Sequence, residues 1–182
     1  MKFLILLPLF AALLVTSCGE KSSPEGSESA SEKPSGIPNS LSDSDVDRLL
    51  KEAIAFESLE ERDGLLYQNS EPYSGWVKEM HDPGQVKLLR QLKSGKPHGR
   101  HALWHENGQK RSEGTFKDGK LNGTTTVWHK NGQKMREGFA KNGMPDGLQT
   151  FWHENGQKRS EETYKDGKSD GPYTWWHENG QK

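Results

Sequence analysis

The stretch Trp104-His105-Glu106-Asn107-Gly108-Gln109-Lys110, "WHENGQK", returns as "WHKNGQK" at Trp128 and as "WHENGQK" at Trp152 and Trp176. The interval is 24 residues each time. A fixed period of this length marks an array in which each unit is one small supersecondary element. Glycines keep the same register: one row runs Gly75, Gly99, Gly123, Gly147, Gly171, and two more start at Gly84 and Gly95. Asn-Gly between alternating runs is a strong hairpin signal, because both residues tolerate positive φ. Asn107-Gly108, Asn131-Gly132, Asn155-Gly156 and Asn179-Gly180 therefore read as turns. "KDGKLNG" at Lys117 and its copies turn the chain back. Each unit is then two antiparallel strands and two turns. "HDPGQVK" at His81 is a degraded first copy with Met80 in the Trp position. Pro83 fixes φ near roughly −65°, so that turn is expected to be type II rather than type I′.

The expected fold is all-β: an elongated meander of antiparallel β-hairpin repeats over residues 65–182. Composition agrees. Only 30% of the 182 residues are hydrophobic and 20 are glycine, which leaves little material for a thick core. The chain stops at Lys182, half-way through a unit, so the last strand is expected to lack a return partner. One unit departs from the rest. Phe139-Ala140 stands where others have Thr115-Phe116 and Thr163-Tyr164. Its aromatic is expected either to point to the other face or to be corrected by a bulge.

Upstream, three segments differ in character. Lys2 and the apolar run Phe3 to Val15 form a signal peptide over residues 1–17, too short for a membrane span. Val15-Thr16-Ser17-Cys18 resembles the bacterial lipobox, with an aliphatic residue three positions before the only cysteine. That resemblance implies cleavage between Ser17 and Cys18 and a diacylglycerol on the Cys18 thiol. Gly19 in place of Asp favours the outer membrane by the same analogy. Residues 18–40 carry the lipidated cysteine and a Ser/Glu/Pro/Gly tether that is expected to be disordered, having almost nothing apolar to offset ordering. Residues 41–64 read as a short acidic helical segment. Ser42 with Asp45, or Ser44 with Asp47, can cap its start. Val46, Leu49, Leu50, Ala53 and Ile54 share one helical face.

The units "NGQK…EGTFKDGKLNG", with Asn107, Gly108, Glu113, Gly119 and Gly123 in the clearest copy, resemble the MORN-type repeat family. They are similar to the variant found in bacterial proteins named after the YwqK antitoxin. The resemblance covers about residues 65–182. It implies an elongated meandering sheet and a binding or scaffold role, and it names no ligand.

The repeated side chains admit two uses each. His81, His105, His129, His153 and His177 form a ladder. Equivalent residues sit two strands apart, about 9.5 Å, so two imidazoles cannot share a zinc ion, which needs nitrogens at about 2.0–2.1 Å. No metal or cofactor is expected. Trp104, Trp128, Trp152 and Trp176 read either as the repeat core or as an aromatic track for a sugar or base. The core reading is preferred, since few other large apolar residues exist, with Trp128 buried and the adjacent His129 exposed on the opposite face. Glu113, Glu137 and Glu161 beside Lys110, Lys134 and Lys158 read as cross-strand charge pairs. "GTFKDGKL" at Gly114 has phosphate-loop spacing, but Leu121 replaces the required hydroxyl and no helix follows. No catalytic arrangement is present in the sequence.

Charge separates the two halves. Residues 75–182 carry a net +6 and residues 1–74 a net −7. The acidic leader can fold onto the array, or the array can meet an anionic partner. Together these features point to a lipid-anchored, non-catalytic scaffold at the bacterial cell envelope. Its partner is an unknown protein, polysaccharide or anionic lipid, and no nucleic acid is expected. Two alternatives stand beside it: an antitoxin-like protein that neutralises a toxin, and a membrane-surface binder using the basic face.

Overall fold

The computed structural model describes residues 40–81 and 84–182. Ser17, Cys18 and most of the tether lie outside the described residues, as does the Pro83 turn. The chain opens with α1 (Asp43–Glu52), then β1 (Ile54–Ala55), a 3-10 turn (Phe56–Ser58), β2 (Glu60–Arg62), β3 (Leu65–Gln68) and β4 (Glu71–Pro72). The array follows as β5 (Gly75–Met80), β6 (Val86–Lys93), β7 (Lys96–Trp104), β8 (Lys110–Lys117) and β9 (Lys120–Leu121). It continues with β10 (Gly123–Trp128), β11 (Lys134–Lys141), β12 (Met144–Trp152), β13 (Lys158–Lys165), β14 (Lys168–Ser169) and β15 (Thr174–Trp175).

From β5 to β15 every pairing is antiparallel and every neighbour in the sheet is a neighbour in sequence. This is the meander that the 24-residue period predicts. β9 is separated from β10 by Asn122 alone and β14 from β15 by residues 170–173, and in each case both pieces pair with the same partner strand. The last strand pairs with β13, through Ser160↔Trp175, and among the described residues no strand pairs with its other side, as expected. Ala140 stands opposite Gly123, as Phe116 stands opposite Gly99. Phe139 therefore lies on the other face from Phe116, the first of the two expected outcomes.

The two turns of each unit have the reverse of the expected chemistry. In the turns that follow β8, β11 and β13 both central residues have positive φ: Asp118 at 50° with Gly119 at 83°, Asn142 at 53° with Gly143 at 87°, Asp166 at 49° with Gly167 at 81°. These are the two-residue type I′ hairpins. In the Asn-Gly loops only the glycine is left-handed, Gly108 at 79° and Gly132 at 83°. There His105 N–H donates to Gln109 O at 2.8 Å and Gly108 N–H to His105 O at 2.9 Å. That is a three-residue loop closed by a left-handed glycine. Asn107 is not left-handed because its side chain has another use: Oδ1 accepts from Gln109 N–H at 3.2 Å.

The degraded first unit is explained by what covers it. Where later units have Lys, Glu and Thr, at Lys110, Glu113 and Thr126, this unit has Val86, Leu89 and Ala102. These apolar side chains, with Trp104, meet Leu41, Leu49 and Ala53 in one cluster. α1 starts at Ser42 through a reciprocal cap with Asp45. Its last turn is fixed to the sheet where Lys78 Nζ donates to Leu50 O at 2.7 Å. On the opposite face Val77 and Leu92 are buried with Leu66, under Phe56, Leu59 and Tyr73. β1 pairs in parallel with β5 and covers the sheet edge. Residues 41–73 are thus an N-terminal cap on both faces and the edge, of the kind a repeat array needs. The helix itself ends at Glu52. Among the described residues no helix is long and apolar enough to cross a membrane.

Candidate binding face

The His, Asn, Gln and Lys of the repeated motif each reach the next copy. His105 Nε2 donates to Trp128 O at 3.1 Å, His129 to Trp152 O at 3.2 Å and His153 to Trp176 O at 3.0 Å. A carbonyl can only accept, so Nε2 carries the hydrogen. Asn107 Nδ2 donates to Lys130 O at 2.7 Å, and Asn131 and Asn155 repeat the bond to Glu154 and Glu178. Gln109 lies against Gly132, where a Cβ would stand 2.5 Å from its Oε1. The lysine reaches forward too: Lys110 Nζ sits 5.9 Å from the Trp128 ring centre, Lys134 5.7 Å from Trp152 and Lys158 5.9 Å from Trp176.

Two expectations need correction here. His81, His105, His129 and His153 are not exposed, the His129 side chain being 15% accessible; His177, in the last copy, is exposed. Alternation fails because a register shift falls between Val127 and Trp128, and the strand ends at Trp128. His129 belongs to the loop, and its ring turns along the sheet to the next strand. The Lys–Glu pairs do not cross strands either. Lys110–Glu113, Lys134–Glu137 and Lys158–Glu161 are three residues apart on one strand, brought together across the shift.

The tryptophans are graded along the array. Trp104 is buried, at 7% exposure, beneath α1. Trp128, Trp152 and Trp176 are half-buried and carry lysine stems instead of a helix. Such stems cover apolar surface while keeping their charge in water.

The opposite face is filled by its own side chains. His101 is buried and its Nδ1 accepts from Arg90 Nε at 3.1 Å. Burial, with the Arg90 charge beside it, pushes the His101 pKa down to about 3. Two units on, Gln149 is buried between Arg136, which donates to its Oε1, and Phe139 O, which accepts from its Nε2, both at 2.8 Å. Gly138 makes the room, since a Cβ there would stand 2.0 Å from Gln149 Oε1.

At Lys110 and Glu113 the face of the sheet binds the backbone that leads into α1. Glu113 Oε1 accepts from Leu41 N–H at 2.5 Å and its Oε2 from Ser40 Oγ at 3.1 Å. Lys110 Nζ donates to Leu41 O at 3.0 Å and to Ser40 Oγ at 3.1 Å. Sequence reasoning missed this contact. Its signal was present in the apolar replacements at Val86, Leu89 and Ala102, which match the apolar helix face. Among the described residues no group of three or more His, Cys, Asp or Glu could hold a metal ion.

Four successive segments, residues 97–118, 121–142, 145–166 and 169–182, match the MORN repeat variant family. No curated protein matches the chain. The family match begins at Pro97, so Val86 and Leu89 lie outside it, while Ala102 and Trp104, which also sit under α1, lie within its first segment. Residues 97–182 are an array of MORN-type repeats.

Proposed function

We propose that this protein is a non-catalytic, protein-binding scaffold tethered at the bacterial cell envelope. The observation that carries the reading is the capture of Ser40 and Leu41. The array holds a polypeptide backbone through a residue pair that recurs in the following units. The motif that invites a catalytic reading is taken up by contacts between copies. A protein partner is preferred to a sugar, because Trp104 lies under α1 and Trp128, Trp152 and Trp176 are only half-exposed, each with a lysine beside its ring, so no open row of ring faces is presented. Cross-linking the full chain in envelope extracts, followed by mass spectrometry, tests this. A reproducible protein partner is expected; retention of polysaccharide alone would overturn the reading.

The tether is proposed from sequence. Val15-Thr16-Ser17-Cys18 behind an apolar run supports lipidation of Cys18, and Gly19 supports an outer-membrane address. Two or three acyl chains anchor firmly, at about 0.8 kcal/mol per buried CH2. Cys18→Ser should abolish incorporation of labelled palmitate and shift the protein out of the membrane fraction. Unchanged labelling would overturn it.

A further inference from the structure

The face that holds Leu41 continues past it. One Lys–Glu pair reads both backbone groups of a single residue: Glu113 accepts the Leu41 N–H and Lys110 donates to the Leu41 carbonyl. Neither bond depends on the side chain. The repeat carries this pair forward to Lys134–Glu137 and Lys158–Glu161. It also carries forward the tryptophan that accompanies it, from Trp104 to Trp128 and Trp152. The copies differ in exposure. Lys110 and Glu113 side chains are 22% and 4% accessible, against 46% and 40% for Lys134 and Glu137 and 50% and 24% for Lys158 and Glu161.

The spacing selects a ligand shape. Neighbouring pairs are two strands apart, about 9.6 Å at the usual interstrand distance. A polyproline II chain advances about 9.3 Å in its three-residue turn. One residue in three of such a chain, laid across the strands, would meet successive pairs. The residue that follows the captured pair, the α1 N-cap Ser42, has an extended backbone within reach of that form, with φ −72° and ψ 159°. The floor beyond α1 is more polar than the floor beneath it, although Phe139 and the exposed Leu148 share the face of Glu137 and Thr150. Under α1 it is Leu89 and Ala102; one unit on it is Glu113 and Thr126, and then Glu137 and Thr150. A slender extended chain resting on the pair and the tryptophan fits that mixed floor.

We propose that Lys134–Glu137 and Lys158–Glu161 bind a proline-rich peptide in the polyproline II form, with a non-proline residue at every third position. This rests on the protein-binding reading above and gives it a ligand chemistry. The residue at each pair must keep its N–H, so it is not proline. The two residues between need no donor, and proline there holds the chain extended. The side chain at each pair lies toward the tryptophan, as Leu41 shares a cluster with Trp104.

Fluorescence anisotropy on the full chain tests this with three labelled peptides. The first is (Ser-Leu-Pro)4. The second is (Pro)12, which has the same helix but no N–H. The third has the first peptide's composition with the leucine spacing broken. The first should bind at least tenfold more tightly than either control. Glu137→Ala with Glu161→Ala should lose that preference while circular dichroism and urea midpoint show a folded array. Lys134→Gln with Lys158→Gln should do the same and serves if the glutamate variant unfolds. Equal affinity for the broken-spacing peptide, or unchanged binding by folded variants, overturns the proposal. If no peptide binds but cross-linking still captures a protein, this inference falls and the scaffold reading stands. If no protein is captured, the scaffold reading falls as well.

Discussion

His129 Nε2 stands 3.2 Å from the carbonyl oxygen of Trp152, a residue 23 positions further along the chain. The bond ties the loop of one hairpin to the end of the next, and it recurs from His81 to Trp104 and from His105 to Trp128. Removing it strands a largely covered carbonyl as well as losing a hydrogen bond. His129→Ala should cost about 1 kcal/mol, the usual net worth of such a bond. A surface histidine would give about ±0.5 kcal/mol or less. Urea unfolding separates the two, and an unchanged midpoint would reject the ladder.

Trp104 and Trp128 occupy one register position with different covers. Trp104→Ala opens a cavity beneath α1 and should cost about 3–5 kcal/mol. Trp128→Ala removes a half-exposed ring under a lysine stem and should cost about 1–2 kcal/mol, within the common range for single changes. Leu49→Ala should resemble Trp104→Ala, because both empty the same cluster. Equal urea midpoints for the two tryptophan variants would contradict a helix seated on the first unit alone.

The sheet was legible because period, glycine spacing and alternation all act within one unit. The 24-residue interval predicts the meander, and the family match and the strand order agree with it. What stayed hidden depends on contacts between units. Nothing local to Asn107 tells whether its side chain will serve its own loop and Lys130, and so which turn takes the two left-handed residues. The capture of Leu41 by Glu113 spans 72 residues and has no periodic signature. The contrast between Leu89 and the glutamates of later units was visible in the sequence. Its meaning needs the helix that rests on it.

The two asparagines at 131 and 142 should answer oppositely to glycine. Asn142 is held at φ 53°, where glycine is at ease, so Asn142→Gly should stay within about ±0.5 kcal/mol. Asn131 bonds Gln133 N–H and Glu154 O through its side chain. Asn131→Gly removes both and should cost about 1–2 kcal/mol. Asn142→Val, which puts a β-branched residue into the left-handed region, should be more damaging than Asn142→Gly. Reversed ranking of the two glycine variants in urea would mean that the turn types are exchanged.

His101 gives the stability curve a pH dependence that can be isolated. Burial, and then the Arg90 charge, lower its folded pKa to about 3, whereas an unfolded histidine titrates near about 6.5. Below pH ~6.5 the unfolded chain takes up a proton that the folded chain refuses, so stability falls as pH falls. The loss runs from about pH 6.5 down to about 3 and is absent above neutrality. Between pH 7.5 and pH 5 it should amount to on the order of 2 kcal/mol for this one group. His101→Thr, which installs the residue that the next unit has at Thr125, removes the titration. It also leaves Arg90 without its acceptor, so the variant should be less stable near neutral pH. The informative quantity is therefore the difference between parent and variant stability, measured by urea at several pH values. Carboxylates and the other histidines are common to both proteins and cancel in that difference. It should shrink on acidification by on the order of 2 kcal/mol at pH 5. A difference that stays constant from pH 7.5 to pH 5 would show that His101 accepts its proton as freely folded as unfolded, and that the buried Arg90–His101 contact does not hold it neutral.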